Sequence, residues 1–197
     1  VTGSDQDAGT TLTYSISGTD AALFNIDSTT GAISFKNSPD FENPQDSGGN
    51  NVYDVTVTAS DGTLNASKAV AITVTNVNEA PSVTSAGTAS FAENGTGTVY
   101  TVSGSDPDAG TTLSYSISGT DAALFNIDST TGAVTFKTSP DFESPQDAGG
   151  NNVYDVTVTA SDGALSASKA VAITVSNVNE APSVTSGGNS SFAENGS

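Results

Sequence analysis

Several residue types that commonly carry protein chemistry are missing from this sequence. Its 197 residues include no Cys, no His, no Met and no Trp. Without Cys there can be no disulfide, no thiolate metal site and no Cys nucleophile. Without His there can be no Ser-His-Asp triad and no histidine-ligated zinc or iron. The composition therefore excludes several familiar kinds of enzyme and metal site.

Positive charge is also scarce, because four Lys and no Arg stand against 22 Asp and Glu, giving a formal charge of −18. Such a chain repels phosphate backbones, so no nucleic acid partner is expected. No apolar run approaches the ~20 residues that cross a bilayer, so we expect no membrane insertion in this segment. High charge with only 35% hydrophobic residues also suits disorder. The apolar residues are periodic, however, and this periodicity favours a folded chain.

A domain-sized internal repeat organises the sequence. Residues from Val1 onward match those from Val102 onward with a period of 101, and 81 of the 96 aligned positions are identical. A period near 100 is too long for a solenoid unit and suits separately folded domains. We interpret the chain as a section of a longer array. The predicted parts are a repeat at 1–81 lacking its first strand and most of its second, a complete repeat at 82–182, and the first strand of a following repeat at 183–197.

Strand-like alternation is clear in the complete repeat. Over 113–117, Leu, Tyr and Ile alternate with Ser, and similar alternation covers 154–160 and 171–175. Phe91 and Val99 mark two further strands, and a hairpin turns at Gly132. With about seven strands and no amphipathic helix, the sequence predicts an all-β fold. We expect tandem immunoglobulin-like, seven-stranded Greek-key sandwiches joined end to end, each antiparallel and with a core of Phe, Tyr, Leu, Ile and Val.

Acidic and amide side chains gather in the loops. Carboxylates brought together repel one another, so such clusters need a cation or strong solvation. Ca²⁺ takes about six to eight oxygen ligands in flexible geometry, and the lack of His and Cys disfavours softer metals. One Asp-rich loop is usually only a solvated turn, so the evidence lies in the ordered set. Its members are FAENG at 91–95, SDPDAG at 105–110, DFE at 141–143, SDG at 161–163 and NVNEAP at 177–182.

The order of these motifs, with the FNIDSTTGAV hairpin at 125–134 between them, resembles the cadherin repeat. The chain is similar to the cadherin-like tandem repeats of large bacterial extracellular or surface proteins of adhesin or matrix-fibre type. The resemblance covers the complete repeat and most of the partial one. It implies a calcium-binding β-sandwich at an extracellular or cell-surface location, with Ca²⁺ bound between consecutive modules.

The resemblance also implies which residues bind Ca²⁺. For the internal junction these are Asp40, Glu42, Asn78 and Glu79 from the first copy and Asp106, Asp108 and Asp162 from the second. A second set would serve a later junction: Glu93, Asp141, Glu143, Asn179 and Glu180. The linker departs from the family pattern, since Asn76 and Asn177 replace its leading Asp and it is one residue shorter. Both changes reduce charge or reach, so the family's number of ions does not carry over.

The function that follows is mechanical. Clustered carboxylates push modules apart without a cation, whereas Ca²⁺ neutralises and stiffens the connection. We therefore predict a structural or adhesive stalk or fibre rigidified by calcium. Its partners would be neighbouring repeats of the same array and, through strand donation or homophilic contact, identical chains. The alternatives are a calcium-dependent carbohydrate-binding module and a calcium-independent acidic spacer serving solubility or salt tolerance.

An enzyme is not expected. Asp141 and Glu143 form a carboxylate pair of the kind that glycoside hydrolases use. The pair recurs as Asp40 and Glu42 in the other copy, and tandem identical active sites are unusual. A sugar-cleaving cleft would also use aromatic platforms, and Trp is absent.

Overall fold

In the computed structural model, the described residues form β-strands and two short 3₁₀ helices, joined by loops. The structure describes residues 1–189, 191 and 194. The chain divides into two compact units, of which unit 1 comprises Val1–Glu79 with Pro107–Gly110, and unit 2 comprises Ala80–Asp106 with Thr111–Ser197. The repeat boundaries at 1–81 and 82–182 stay a prediction. The predicted strand at 183–197 lies partly outside the described residues.

Unit 1 is built from two small antiparallel sheets. One has the strand order β1-β4-β5, and the other is the hairpin of β2 and β3. The 3₁₀ helix Ala21–Leu23 precedes β2. The strands are β1 (Thr13–Ser17), β2 (Phe24–Ile26), β3 (Ile33–Phe35), β4 (Val52–Ser60) and β5 (Asn65–Thr73).

Unit 2 contains most of the predicted second repeat, without Pro107–Gly110. Its largest sheet has the order β10-β13-β14-β7, its second has the order β11-β12-β8, and β6 pairs with β9. The 3₁₀ helix Ala122–Leu124 precedes β11. The strands are β6 (Ser82–Val83), β7 (Thr88–Ala92), β8 (Thr98–Thr101), β9 (Gly104–Ser105), β10 (Ser114–Ser118), β11 (Phe125–Ile127), β12 (Ala133–Phe136), β13 (Val153–Ser161) and β14 (Ser166–Ser176).

The predicted all-β sandwich is confirmed, with one difference in strand direction. β7 pairs parallel with β14, bringing Phe91 opposite Val175, whereas an antiparallel sandwich was predicted. Alternation of apolar residues decides which face of a strand is buried, but it does not encode the direction of the neighbouring strand. The seven-strand Greek-key connectivity stays a prediction, and the described part of unit 2 has nine strands.

The core of each unit combines aromatic and aliphatic side chains. In unit 2 the ring of Tyr154, 1% exposed, meets Phe136 edge-on at a centroid distance of 5.1 Å. Val158 and Ile173, from the paired strands β13 and β14, are fully buried. Unit 1 repeats the aromatic arrangement with Tyr53 against Phe35. Burial of these side chains holds in place the loops that carry the acidic residues.

One glycine sets the hairpin between β11 and β12. Gly132 has φ of +73°, a region that side chains other than Gly rarely adopt. A Cβ atom there would also collide with the carbonyl oxygen of Val102. The turn therefore needs Gly for both its conformation and its close approach to the neighbouring backbone.

Candidate metal sites

Three carboxylates converge in unit 2. Glu93, Asp141 and Glu143 each offer an oxygen, and these oxygens lie within 4.8 Å of one another. Glu93 directly follows β7, whereas the other two lie in the loop after β12. Glu93 is only 3% exposed, while Asp141 and Glu143 are exposed. One buried and two exposed carboxylates thus share a single site, called the unit 2 cluster below.

Glu93 connects three separate chain segments. Its Oε2 accepts a hydrogen bond from the backbone amide of Phe142, and its Oε1 accepts one from the amide of Val178, each at 2.7 Å. These two bonds favour the ionised form and hold the pKa of Glu93 below its ordinary value. The carboxylate is therefore charged at neutral pH and fixes the DFE and NVNEAP segments.

The pKa of Glu143 is shifted in the opposite direction to that of Glu93. Although Glu143 is an exposed residue, its pKa is raised, first because the surrounding protein partly desolvates its carboxylate and then because Glu93 and Glu180 repel it. Its Oε1 accepts a hydrogen bond of 2.6 Å from the side-chain amide of Asn177. Without a cation, the carboxylates of this cluster are thus in electrostatic conflict, which an amide donor relieves only in part.

The remaining predicted ligands of this set lie around the cluster. Asp141 accepts hydrogen bonds from the amides of Glu143 and Ser144 at 3.0 and 3.1 Å. Glu180 accepts one of 2.9 Å from the side chain of Asn94, the residue after Glu93. The side-chain amide of Asn179 lies 3.5 Å from the backbone oxygen of Glu180. Asn179 therefore presents its amide nitrogen to its neighbour in the linker.

A second group of three carboxylates lies in unit 1. Oxygens of Glu42, Glu79 and Asp108 lie within 4.8 Å of one another, and we call them the unit 1 cluster. Asp108 is 9% exposed. Its Oδ1 accepts a hydrogen bond of 2.6 Å from the Asn76 side chain, and its Oδ2 accepts one of 3.1 Å from the Glu79 amide. Asp108 belongs to the second sequence repeat but structurally to unit 1.

Other predicted ligands of the internal junction make local hydrogen bonds. Asp40 accepts bonds from the amides of Glu42 and Asn43, at 3.0 and 3.2 Å. The Asn78 side chain donates to the carbonyl oxygen of Glu79 at 3.1 Å.

Asp162 and Asp106 both belong to unit 2. Asp162 accepts two bonds of 2.6 Å from the amides of Ala164 and Leu165 in the hairpin between β13 and β14. In the part of the chain that the structure describes, neither Asp106 nor Asp162 belongs to a group of three acidic residues. Their roles as ligands stay a prediction.

A buried polar loop was missed by the sequence analysis. Asp147 and Asn152, 6% and 8% exposed, close the loop before β13 through a bond of 3.0 Å from the Asn152 amide to Asp147 Oδ1. Asp121, 4% exposed, accepts bonds from the amides of Ala148 and Asp155 at 2.8 and 2.7 Å. The available signal was the identical recurrence of Gln-Asp-x-Gly-Gly-Asn-Asn in both copies.

The donor sets of both clusters fit a hard divalent cation. Ca²⁺ bonds to oxygens at about 2.3–2.6 Å, so two of its ligands can be up to about 5 Å apart. The oxygens within 4.8 Å of one another meet this limit. Every ligand atom in these groups is a carboxylate oxygen, the type that Ca²⁺ prefers over nitrogen or sulfur.

Solved structures with a similar architecture include cadherin domains. Human Protocadherin-24 EC1-2 matches with a TM-score of 0.66 at 23% identity, over 90% of this chain and 85% of that one. Mouse Cadherin-23 EC22-24 gives 0.60 at 27% identity, over 87% and 55%. Drosophila N-cadherin EC1-4 gives 0.60 at 26% identity, over 86% and 42%. The fold is cadherin-like.

One curated protein adds a match at the sequence level. A stretch of 72 residues is 42% identical to Halomucin of Haloquadratum walsbyi, covering 34% of this chain and 1% of that protein. No protein-family model matches the chain. Together with the cadherin extracellular domains, the match supports a cadherin-like repeat of a surface protein, located outside the cell or at its surface. Among the described residues, no helix has the length and apolar character of a membrane span.

Proposed function

We propose that this chain is a calcium-binding structural or adhesive segment of an extracellular tandem array, and that Ca²⁺ stiffens it. The observation that carries the proposal is the convergence of Glu93, Asp141 and Glu143, whose oxygens lie within 4.8 Å of one another. Desolvation, and after it repulsion from Glu93 and Glu180, raises the pKa of Glu143. A bound divalent cation would remove this repulsion and use the same oxygens as ligands.

In unit 2, Glu93, Asp141 and Glu143 would hold the ion. Glu180 would add a fourth carboxylate, since its charge already reaches Glu143. Asn177 donates to Glu143 in the structure, and a rotation of its amide would offer an oxygen instead. The ion would supply neutralisation, while the hydrogen bonds of Glu93 keep the DFE and NVNEAP segments in place.

In unit 1, Glu42, Glu79 and Asp108 would hold an ion in the same way. The segment Pro107–Gly110 belongs to unit 1, although its flanking residues, Asp106 and Thr111, belong to unit 2. Calcium bound by Asp108 together with Glu42 and Glu79 would fasten this segment more firmly. Because the chain continues from it in both directions, we expect the bound ion to reduce the freedom of the connection between repeats.

The comparisons support a mechanical or adhesive function. The chain spans 55% and 42% of the Cadherin-23 and N-cadherin chains and 1% of Halomucin, so the activity of the whole protein is part of the proposal. Neighbouring repeats of the same array are the first proposed partner. Identical chains, engaged by strand donation or homophilic contact, are the second.

A thermal melt of the 197-residue chain tests calcium binding. Melting temperatures would be compared in Ca²⁺, in excess chelator, and in Mg²⁺ at matched ionic strength. A ligand that binds only the folded state at 100 times its Kd adds about 2.7 kcal/mol of stability. We therefore expect a rise of several degrees that is specific to Ca²⁺. Equal melting temperatures in all three solutions would overturn the proposal in favour of a calcium-independent acidic spacer.

Stiffening needs its own measurement. One fluorophore on a surface residue of each unit would give the distribution of distances between the two labels. We expect this distribution to narrow in Ca²⁺ and to stay broad in chelator or Mg²⁺. A calcium-dependent melting temperature with an unchanged distance distribution would retain calcium binding and reject rigidification.

A further inference from the structure

Asn152 lies outside the unit 2 cluster but forms a hydrogen bond with the loop that carries two carboxylates of the cluster. The side-chain nitrogen of Asn152 donates a hydrogen bond of 2.9 Å to the carbonyl oxygen of Phe142. Phe142 lies between Asp141 and Glu143, and its own amide donates to Glu93. The backbone of Phe142 is therefore held from both sides, by Glu93 through its nitrogen and by Asn152 through its oxygen.

The first repeat contains the same arrangement. Asn51 donates from its side chain to the carbonyl oxygen of Phe41 at 2.8 Å. Phe41 lies between Asp40 and Glu42, and Glu42 belongs to the unit 1 cluster. In both repeats the DFE backbone thus accepts a hydrogen bond from an Asn side chain, and this Asn is the last residue before a long strand.

The backbone of Asn152 is fixed independently of its side chain. Its φ is +61°, its amide donates to Asp147, and its carbonyl oxygen accepts a bond of 2.9 Å from Val175 in β14. Gly would adopt this φ more readily than Asn. Asn is one of the few other residues that tolerate it, and unlike Gly it carries an amide donor.

The side-chain amide of Asn152 is oriented so that its nitrogen bonds to the Phe142 carbonyl, while its own oxygen is left without a hydrogen bond in the described part of the chain. Asn152 is 8% exposed, and its Oδ1 is buried with no hydrogen-bond partner among the described residues; Asn51, also 8% exposed, shows the same feature. A buried acceptor without a partner is unfavourable. Its recurrence in both repeats indicates that the donated bond to the DFE backbone outweighs that cost.

We propose that Asn152 and Asn51 are positioning residues for calcium binding. Each would preset the DFE loop so that its cluster residues, Asp141 and Glu143 in unit 2 and Glu42 in unit 1, face the other carboxylates. The inference rests on the proposed calcium function. Groups that orient metal ligands without touching the metal typically change metal affinity by about 10–100-fold when they are removed. Asn152 would act in this way through the backbone between two ligands.

The test compares Asn152→Gly with Asn151→Gly in the 197-residue chain. The first removes the donor to Phe142 and keeps a residue suited to positive φ. The second is the matched control, because exposed Asn151 accepts a bond from the Val153 amide and makes no described contact with the DFE motif. Residue-resolved NMR would follow the Val178 amide, which donates to Glu93, during titration with CaCl₂. We expect the Kd at this position to rise about 10-fold or more for Asn152→Gly and to be unchanged for Asn151→Gly.

Amide hydrogen exchange in chelator provides the second readout, independent of calcium. The amides of Glu143 and Ser144 donate to Asp141. We expect them to exchange faster in Asn152→Gly, while the amides of β13 and β14 keep their wild-type rates. A merely structural role would speed exchange throughout unit 2.

Two results would overturn the inference. One is a wild-type Kd together with wild-type exchange at Glu143 and Ser144 in Asn152→Gly. The other is an equal loss of affinity in both variants, which would assign the effect to the loop and not to the amide. If the unsubstituted chain binds no calcium, the proposed function fails, and faster exchange confined to Glu143 and Ser144 would still show that Asn152 holds the loop.

Discussion

The carboxylate of Glu93 accepts a hydrogen bond of 2.7 Å from the backbone amide of Phe142, 49 residues further along the chain. Its other oxygen accepts an equally short bond from Val178. Glu93 therefore holds two loops even without a cation, whereas the charge of Glu143 is disfavoured, first by desolvation and then by repulsion from Glu93 and Glu180. Carboxylates of one cluster thus differ in what they contribute to the fold.

Replacing Glu93 by Gln should destabilise unit 2 in chelator as well as in calcium. A Gln side chain has one acceptor oxygen, so its NH₂ group would face one of the two backbone N–H donors. We expect the melting temperature in chelator to fall by several degrees. Glu143→Gln is the matched control and should leave it unchanged or raise it. Equal effects of the two substitutions would contradict the separate roles assigned to them.

Glu143 and Glu93 should contribute to the pH dependence of stability with opposite signs, because their pKa values are shifted in opposite directions. Glu143 has a folded-state pKa above its ordinary value of 4.5, so the folded state takes up this proton first. Its contribution in chelator therefore becomes more favourable as pH falls from 7 through the folded-state pKa. Glu93 has a folded-state pKa below 4.5. Its contribution is present above pH 4.5 and is lost as pH falls through that lower pKa.

Thermal melts from pH 7 to pH 3 in chelator would check these signs. We expect the melting temperature of the unsubstituted chain to rise as pH falls through the raised pKa of Glu143 and to fall as pH falls through the lowered pKa of Glu93. Glu143→Gln should reduce the rise, and Glu93→Gln should reduce the fall at acid pH. The same rise in Glu143→Gln as in the unsubstituted chain would assign it to the general charge of −18 instead of to this residue.

The sequence predicted the strands and the six cluster residues for different reasons. Alternation places Tyr154 and Ile173 in the core because a strand has a period of two. The convergence of Glu93 with Asp141 was predicted only through resemblance to cadherin repeats, since their 48-residue separation has no local periodicity. The contact between Asn152 and Phe142 depends on the positive φ of Asn152 and on one hydrogen bond from its side chain. Neither property leaves a pattern in a single sequence.

Acidic loop motifs that look alike in sequence also differ in which groups donate hydrogen bonds to their carboxylates. Asp162 accepts bonds from two amides of its own hairpin loop. Asp108 instead accepts bonds from Asn76 and Glu79, more than 25 positions earlier in the chain. Whether a carboxylate caps its own loop or meets distant groups depends on tertiary packing, which composition and spacing do not encode.

Replacing Asn177 by Asp should lower the stability of the chain in chelator and raise its affinity for calcium. Its amide donates to Glu143 at 2.6 Å, and a carboxylate there would remove the donor and add a repulsive charge. An additional charged ligand should also tighten calcium binding. We therefore expect a lower melting temperature in chelator and a lower calcium Kd by calorimetry. Asn177→Ala removes the donor without adding charge, so it should lower the melting temperature but not the Kd.

Two glycines with positive φ should differ in how much stability is lost when each is replaced by Ala. Gly132 and Gly110 have φ of +73° and +85°, but only at Gly132 would a Cβ meet the backbone, at Val102. Ala in a left-handed conformation costs about 1–2 kcal/mol. Gly110→Ala should lose about this much in urea unfolding, and Gly132→Ala should lose clearly more. Equal losses would show that the approach to Val102 relaxes easily.

Asp108→Ala should weaken calcium binding in unit 1 without unfolding it. Asp108 accepts two hydrogen bonds and shares its cluster with Glu42 and Glu79. Removing it leaves two carboxylates, too few to hold Ca²⁺ tightly without other ligands. Asp7→Ala is the matched control, because Asp7 occupies the equivalent position of the first repeat and lies outside both clusters. We expect the calcium-induced rise in melting temperature to shrink for Asp108→Ala and to persist for Asp7→Ala, with both variants melting cooperatively in chelator. An unchanged calcium response in Asp108→Ala would remove this residue from the site and, with it, the proposed fastening of Pro107–Gly110.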